Sequence, residues 1–154
     1  MINDLFSALY EFFGLMPTYS LDMAYALSGT DPCSNDEGTN WLTIVGLIMM
    51  LSVVLTYIVF YHFINSSGFS KAKHWWLVTL IMVSINFLIG FITSFNIYSS
   101  AEDCTNLGSI VFVDTFSFGF VNALWSLLIY ILLTTLPWPR RMSTNCSETT
   151  FWRP

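Results

Sequence analysis

The run WLTIVGLIMMLSVVLTYIVFYHFI, residues Trp41 to Ile64, decides the fold, because it contains no Asp, Glu, Lys or Arg. About 20 apolar residues at ~1.5 Å each cross a hydrocarbon core roughly 30 Å thick. On its C-terminal side two more runs share the property, Trp75 to Tyr98 (WWLVTLIMVSINFLIGFITSFNIY) and Phe116 to Trp138 (FSFGFVNALWSLLIYILLTTLPW). A soluble amphipathic helix shows a polar face, and none of these runs has one. The whole chain agrees. Its 154 residues are 55% hydrophobic and 10% charged, where soluble domains carry about 25% charged residues. The predicted fold is an all-α integral membrane protein with three transmembrane helices, at about 41–64, 75–98 and 116–138. A segment of residues 1–40 precedes the bundle and a short tail, residues 139–154, follows it.

The first forty residues do not read as a secretory signal, since they lack a basic start and carry Asp4 and Glu11. Glu11 and Asp22 also make them too polar for a fourth span. Pro17 divides them into two short amphipathic pieces. In the first, Asn3 is a candidate N-cap, and Leu5, Phe6, Leu9, Phe12, Phe13 and Met16 recur at helical spacing. In the second, Ser20 opens a turn or two with Leu21, Ala24 and Leu27 inward, and Gly29 ends it. Such pieces lie in the membrane interface or pack on the bundle.

Charge sets the expected orientation. All five basic residues fall in two places: Lys71 and Lys73 between the first two spans, and Arg140, Arg141 and Arg153 after the third. Nine of the ten acids fall in the other two regions: Asp4, Glu11, Asp22, Asp31, Asp36, Glu37, Glu102, Asp103 and Asp114. Cytoplasmic segments keep Lys and Arg. The expectation is therefore an N-terminus outside, Lys71 and Lys73 in a cytoplasmic loop, and a cytoplasmic C-terminus, in a plasma or bacterial inner membrane. Trp41, Trp75, Trp76, Tyr98 and Trp138 bracket the spans as interfacial anchors. On this topology Cys33 and Cys104 both lie outside, where a disulfide persists, and Cys146 lies inside. A Cys33–Cys104 bridge would join the two outer segments into an acidic cap of Asp31, Asp36, Glu37, Glu102 and Asp103.

Polar residues inside the spans are the other candidates, because hydrocarbon makes them costly unless they are paired. Asn86, Gly90 and Ser94 mark the second span, and Gly119, Asn122, Ala123 and Ser126 form a small-and-polar stripe on the third. Small residues let helices approach and Asn bonds across the contact. The stripe either packs this bundle, meets another subunit, or lines a pathway. Asp114 is read as an exposed N-cap or first-turn acid stabilised by the helix dipole, or as one member of an acidic pore-mouth ring.

His62 and His74 flank the cytoplasmic loop but have no further ligand beside them, so no metal or haem is expected. The outer DPCSNDEG stretch lacks the spacing of a calcium loop. Five basic residues cannot build a nucleic-acid surface. With no catalytic constellation and no cofactor motif, the expected role is non-enzymatic: a small integral subunit packed among other membrane subunits and the lipid bilayer. The alternative is a homo-oligomeric pore or membrane-disrupting protein, since holin-like proteins are similar in having three spans with this orientation.

Overall fold

The structure, a computed structural model, describes residues 10, 20–29, 38–63, 72–101 and 110–135, and the regular elements among them are all helical. In chain order these are α1 (Leu21–Ser28), α2 (Trp41–Ile58), α3 (Ala72–Ala101) and α4 (Phe112–Thr135). Helix α2 runs on into a wider π-helical turn, Val59–Phe63. Three helices are long and apolar enough to cross a membrane: Trp41–Tyr61, Lys73–Ser100 and Phe112–Thr135, of 21, 28 and 24 residues. At 1.5 Å per residue they measure about 32, 42 and 36 Å, so α3 tilts or projects from a core ~30 Å thick. Number and order of the spans follow the sequence expectation, while α3 extends three residues further at each end and α4 starts four residues earlier.

The bundle alternates in direction. Leu42, Val45, Ile97, Tyr98, Ile110 and Phe118 share one apolar cluster at the Trp41 end. Met49, Val53, Phe60, Tyr61, Trp75, Met82 and Tyr130 share another at the Trp75 end, and Trp125 touches both. The π-helical turn fits more residues into one turn, and the neighbours Phe60 and Tyr61 are both buried there.

Burial runs opposite to that of a water-soluble protein. Leu51, Leu80 and Leu132 stand 70%, 69% and 62% exposed, while Asn86, Ser94, Thr115, Asn122 and Ser126 are fully buried. Such a molecule presents mainly hydrocarbon to its surroundings and turns most of its mid-helix polar groups inward, the arrangement suited to a bilayer. Hydroxyls inside the spans bond back to their own helix. Thr56 Oγ1 donates to the Ser52 carbonyl, Thr79 Oγ1 to that of Trp75 and Thr93 Oγ1 to that of Ile89.

Helices α3 and α4 pack most extensively, and α2 lies against both. Two glycines set the α3–α4 distance. A Cβ on Gly119 would stand 3.0 Å from the Phe87 carbonyl oxygen and 3.1 Å from Phe91 Cβ. One on Gly90 would stand 3.1 Å from Gly119 Cα and 3.2 Å from Asn122 Cβ. The contact is so close that any Cβ would have to push its neighbours back by a few tenths of an ångström, which is how small residues associate membrane helices. Beside this seam Phe87, Phe91 and Phe95 stack down α3 at 6.0 Å intervals. Phe112 and Phe116 of α4 meet them edge-on, with Phe87–Phe116 at 5.2 Å and Phe95–Phe112 at 6.4 Å.

Short helix α1 is set by its caps. Ser20 Oγ accepts from the Met23 N–H, and Gly29 closes the helix in the left-handed region at φ 89°. Gly29 also accepts from the Gly38 N–H at 2.7 Å, and a Cβ there would stand 2.6 Å from the Gly38 oxygen. Met23 and Leu27 on it are fully buried. Ala24, expected inward with Leu27, is half-buried. The piece expected around Leu5 to Met16 lies outside the described residues except for Tyr10.

Gly119→Ala should lower stability by about 1–3 kcal/mol, the usual cost of overpacking, because backbone atoms rather than flexible tips stand in the way. The loss is read by titrating the purified protein from mild micelles into SDS while following helix content. An unchanged midpoint would show that the seam has slack.

Candidate functional site

One polar side chain from each of the three long helices, Ser52, Asn86 and Asn122, meets in a single layer. Ser52 lies eleven residues from Trp41 and eleven from Phe63. Asn86 lies fourteen from Ala72 and fifteen from Ala101, and Asn122 ten from Phe112 and thirteen from Thr135. Each sits near the middle of its helix, at the depth where an unpaired amide is most costly.

The layer satisfies itself. Asn86 Nδ2 donates to Ser52 Oγ at 2.9 Å and to the Met82 carbonyl at 3.0 Å. Ser52 Oγ lies 2.8 Å from the Met49 carbonyl and 3.0 Å from Asn86 Oδ1, so its single proton is shared between two acceptors. Asn122 Nδ2 donates to the Asn86 carbonyl at 2.8 Å. That bond also fixes the amide orientation, since a carbonyl only accepts. Asn122 Oδ1 is thereby left to face Tyr10, whose hydroxyl donates to it at 2.6 Å. The Tyr10 ring stacks on Phe118 with centroids 5.4 Å apart at 27°. A chain of bonds thus runs from Tyr10 through α4 and α3 to α2. Its members are neutral, and what they do chemically is hold three helices and one aromatic residue in a single register.

Two further contacts lie toward the Trp41 end. Ser94 Oγ is within 3.0 Å of the Thr115 carbonyl and 2.9 Å of the Gly90 carbonyl, a second tie between α3 and α4. Asp114 stands in the first turn of α4, as expected, but is 8% exposed, not the exposed acid of the sequence reading. Its Oδ2 accepts from the Val111 N–H at 3.0 Å, the reach-back half of a capping box. Its Oδ1 accepts from the Ser20 N–H at 3.1 Å. One carboxylate therefore caps α4 and anchors the start of α1, each oxygen taking one backbone donor.

Asn86, Gly90, Ser94, Gly119 and Asn122 are brought together at the α3–α4 contact of a single chain. Ala123 and Ser126 are buried on α4 nearby, the Ser126 hydroxyl returning to the Ala123 carbonyl. Lys73 is exposed and His74 half-buried, while His62 falls in the π-helical turn. Lys71, Arg140, Arg141, Cys33, Cys104, Asp31, Asp36, Glu37, Glu102 and Asp103 lie outside the described residues. Among the described residues no group of three His, Cys, Asp or Glu is placed to hold a metal.

Sequence reasoning missed Tyr10 and undervalued Ser52. Ser52 had a usable signal, its position at the centre of the first apolar run opposite Asn86 and Asn122. Tyr10 had none that separates it from Tyr25, which is 53% exposed. The fold is an all-helical bundle, among the described residues, with three helices long and apolar enough to cross a membrane and a hydrogen-bonded polar layer near their middles. No protein-family model, curated protein sequence or solved structure matches the chain.

Asn122→Leu should cost about 1–3 kcal/mol, because it removes the acceptor of the Tyr10 hydroxyl and the donor to the Asn86 carbonyl. Adding Tyr10→Phe should recover the part of that loss that belongs to the Tyr10–Asn122 bond, while the part from the Asn86 carbonyl stays. The same SDS titration reads the four corners of the cycle. Losses that simply add would show that the two side chains are not coupled.

Proposed function

We propose that the chain is a small, non-enzymatic integral membrane subunit that packs with other membrane subunits in a larger assembly. The observation that carries this reading is the division of labour in the spans. The side chains of Ser52, Asn86 and Asn122 are turned inward and bonded within the chain, and the outward faces are mostly apolar, with the Phe87, Phe91, Phe95, Phe112 and Phe116 rings along the α3–α4 seam. Partly exposed rings such as Phe95 (41%) and Phe116 (54%) offer large, rigid contact area to a neighbouring helix. In this proposal the stripe on α3 and α4 builds the subunit and the aromatic seam meets its neighbours. The N-terminus lies outside and the Lys73 end of α3 inside, following the distribution of basic residues. A pore lined by Asn86 and Asn122 would first have to release them from their present partners.

Phe95→Ala with Phe116→Ala should leave the SDS unfolding midpoint within about 1 kcal/mol, as exposed substitutions do, while the protein recovered from native membranes loses its co-purifying subunits. In a Cys-free background, Thr39→Cys should label from outside intact cells and Lys73→Cys only after permeabilisation. Retention of every partner by the double variant would overturn the seam, and reversed labelling the orientation. Steady conductance from the purified protein in planar bilayers would favour the pore.

A further inference from the structure

Two contacts fix the depth of the chain ahead of α2. Tyr10 donates to Asn122 Oδ1 at 2.6 Å, and its ring stacks on Phe118. Asn122 lies ten residues into α4, about 15 Å along the helix, which is the middle of a hydrocarbon core ~30 Å thick. Ser20 donates its N–H to Asp114 Oδ1 at 3.1 Å, and Asp114 stands only two residues into α4. These two partners are eight residues apart on one helix, a difference in depth of about 12 Å. Ten residues of chain reach up to ~33 Å, so the step from Tyr10 to Ser20 covers that depth without strain. Followed toward the N-terminus, the chain descends from the Trp41 end of the bundle to its polar layer.

Burial agrees with this depth. Met23 and Leu27 of α1 share a cluster with Leu42, Val45 and Ile110, which keeps α1 at the Trp41 end. Tyr10 belongs to the same cluster and is 1% exposed, against fully buried Phe118 and Asn122. A chain that enters a membrane without crossing it must be covered by protein at its deepest point, and Tyr10 is so covered. We propose that the segment holding Tyr10 is a fourth membrane-embedded element, re-entrant from the Trp41 side, which dips to the midplane at Tyr10 and regains the surface at Ser20. Asn122 holds its deep end and Asp114 its shallow end. Residues 1–9 contain no Lys or Arg, the residues that keep a flanking segment in the cytoplasm, so re-entry is favoured over crossing. The element takes up the face of α4 that carries Asp114, Phe118 and Asn122. Phe112, Phe116 and Phe120, more than half exposed, are left as the face of α4 open to lipid or a neighbouring subunit.

The test uses the full chain carrying 3-fluorotyrosine in lipid bicelles, with the Tyr10 fluorine resonance assigned by its loss in Tyr10→Phe. A nitroxide near the end of the lipid chains should broaden Tyr10 severalfold more than Tyr25, which is 53% exposed on α1. A water-soluble gadolinium chelate should broaden Tyr25 severalfold more than Tyr10. In intact cells, an epitope joined to Met1 should be reached from the same side of the membrane as a label on Thr39→Cys. That comparison holds whichever side it is, so a reversal of the orientation proposed above is told apart from a failure of re-entry. Tyr10 broadened by the chelate as strongly as Tyr25 overturns the proposal. An epitope on the side opposite Thr39 also overturns it, and makes the segment a fourth span.

Discussion

The approach of α3 to α4 at Gly90 and Gly119 is the constraint on which the other contacts depend. A side chain at either glycine would push the backbones apart by a few tenths of an ångström and stretch the 2.8 Å bond from the Asn122 amide to the Asn86 carbonyl. That bond then orients Asn122 toward Tyr10. Asn86, whose carbonyl is engaged by α4, turns its own amide to Ser52 on α2. The order of causes runs from a steric permission to a hydrogen-bonded layer. In a bilayer that order is sensible, because lipid tails are as apolar as leucine and no hydrophobic force draws the helices together. Packing and hydrogen bonds must supply both affinity and register.

How much of this was legible in the sequence follows from the same physics. Length and lack of charge identify a span in any neighbourhood, so the three spans could be read from Trp41–Ile64 and its two successors. Glycine and asparagine inside such a run are conspicuous against the apolar background, and Gly90, Asn86, Gly119 and Asn122 stood out for that reason. Their partners did not. Which carbonyl an amide meets depends on helix rotation, and a run that is apolar all round carries little rotational signal. Tyr10 was hidden for a different reason. Its contact spans 112 residues of sequence and joins a span to a segment with no span character of its own.

Asp114 shows where a correct local reading stops short. The first-turn position of an acid is a local property, and the helix dipole favours it there. Burial is not local. The carboxylate is covered because α1 begins beside it, and its second oxygen takes the Ser20 N–H, a donor at a helix start that lacks an intrahelical partner. At the interfacial end of a span a carboxylate bonded to two backbone donors is easier to sustain than at the midplane, so the chain places its charged acceptor there and neutral amides at the centre.

That gradient of polarity bears on how the molecule divides specification between inside and outside. Interhelical hydrogen bonds in membranes are worth about 0.6 kcal/mol on average and at most about 1.7 kcal/mol. The layer therefore contributes more through what it forbids than through what it adds. Rotating α3 or α4 out of register would leave Asn86 or Asn122 facing hydrocarbon, at several kcal/mol each. Because the inside fixes the fold by exclusion, the outward faces are free of structural polar duty. Their residues need only be apolar to suit lipid, yet along the α3–α4 seam they are consistently aromatic, with five rings in mutual contact. Lipid chains, being fluid and unselective, do not require that. A rigid ring surface is better suited to a partner that is itself ordered, which is the physical reason the proposed subunit contacts are sought on that seam rather than on the small-residue stripe buried behind it.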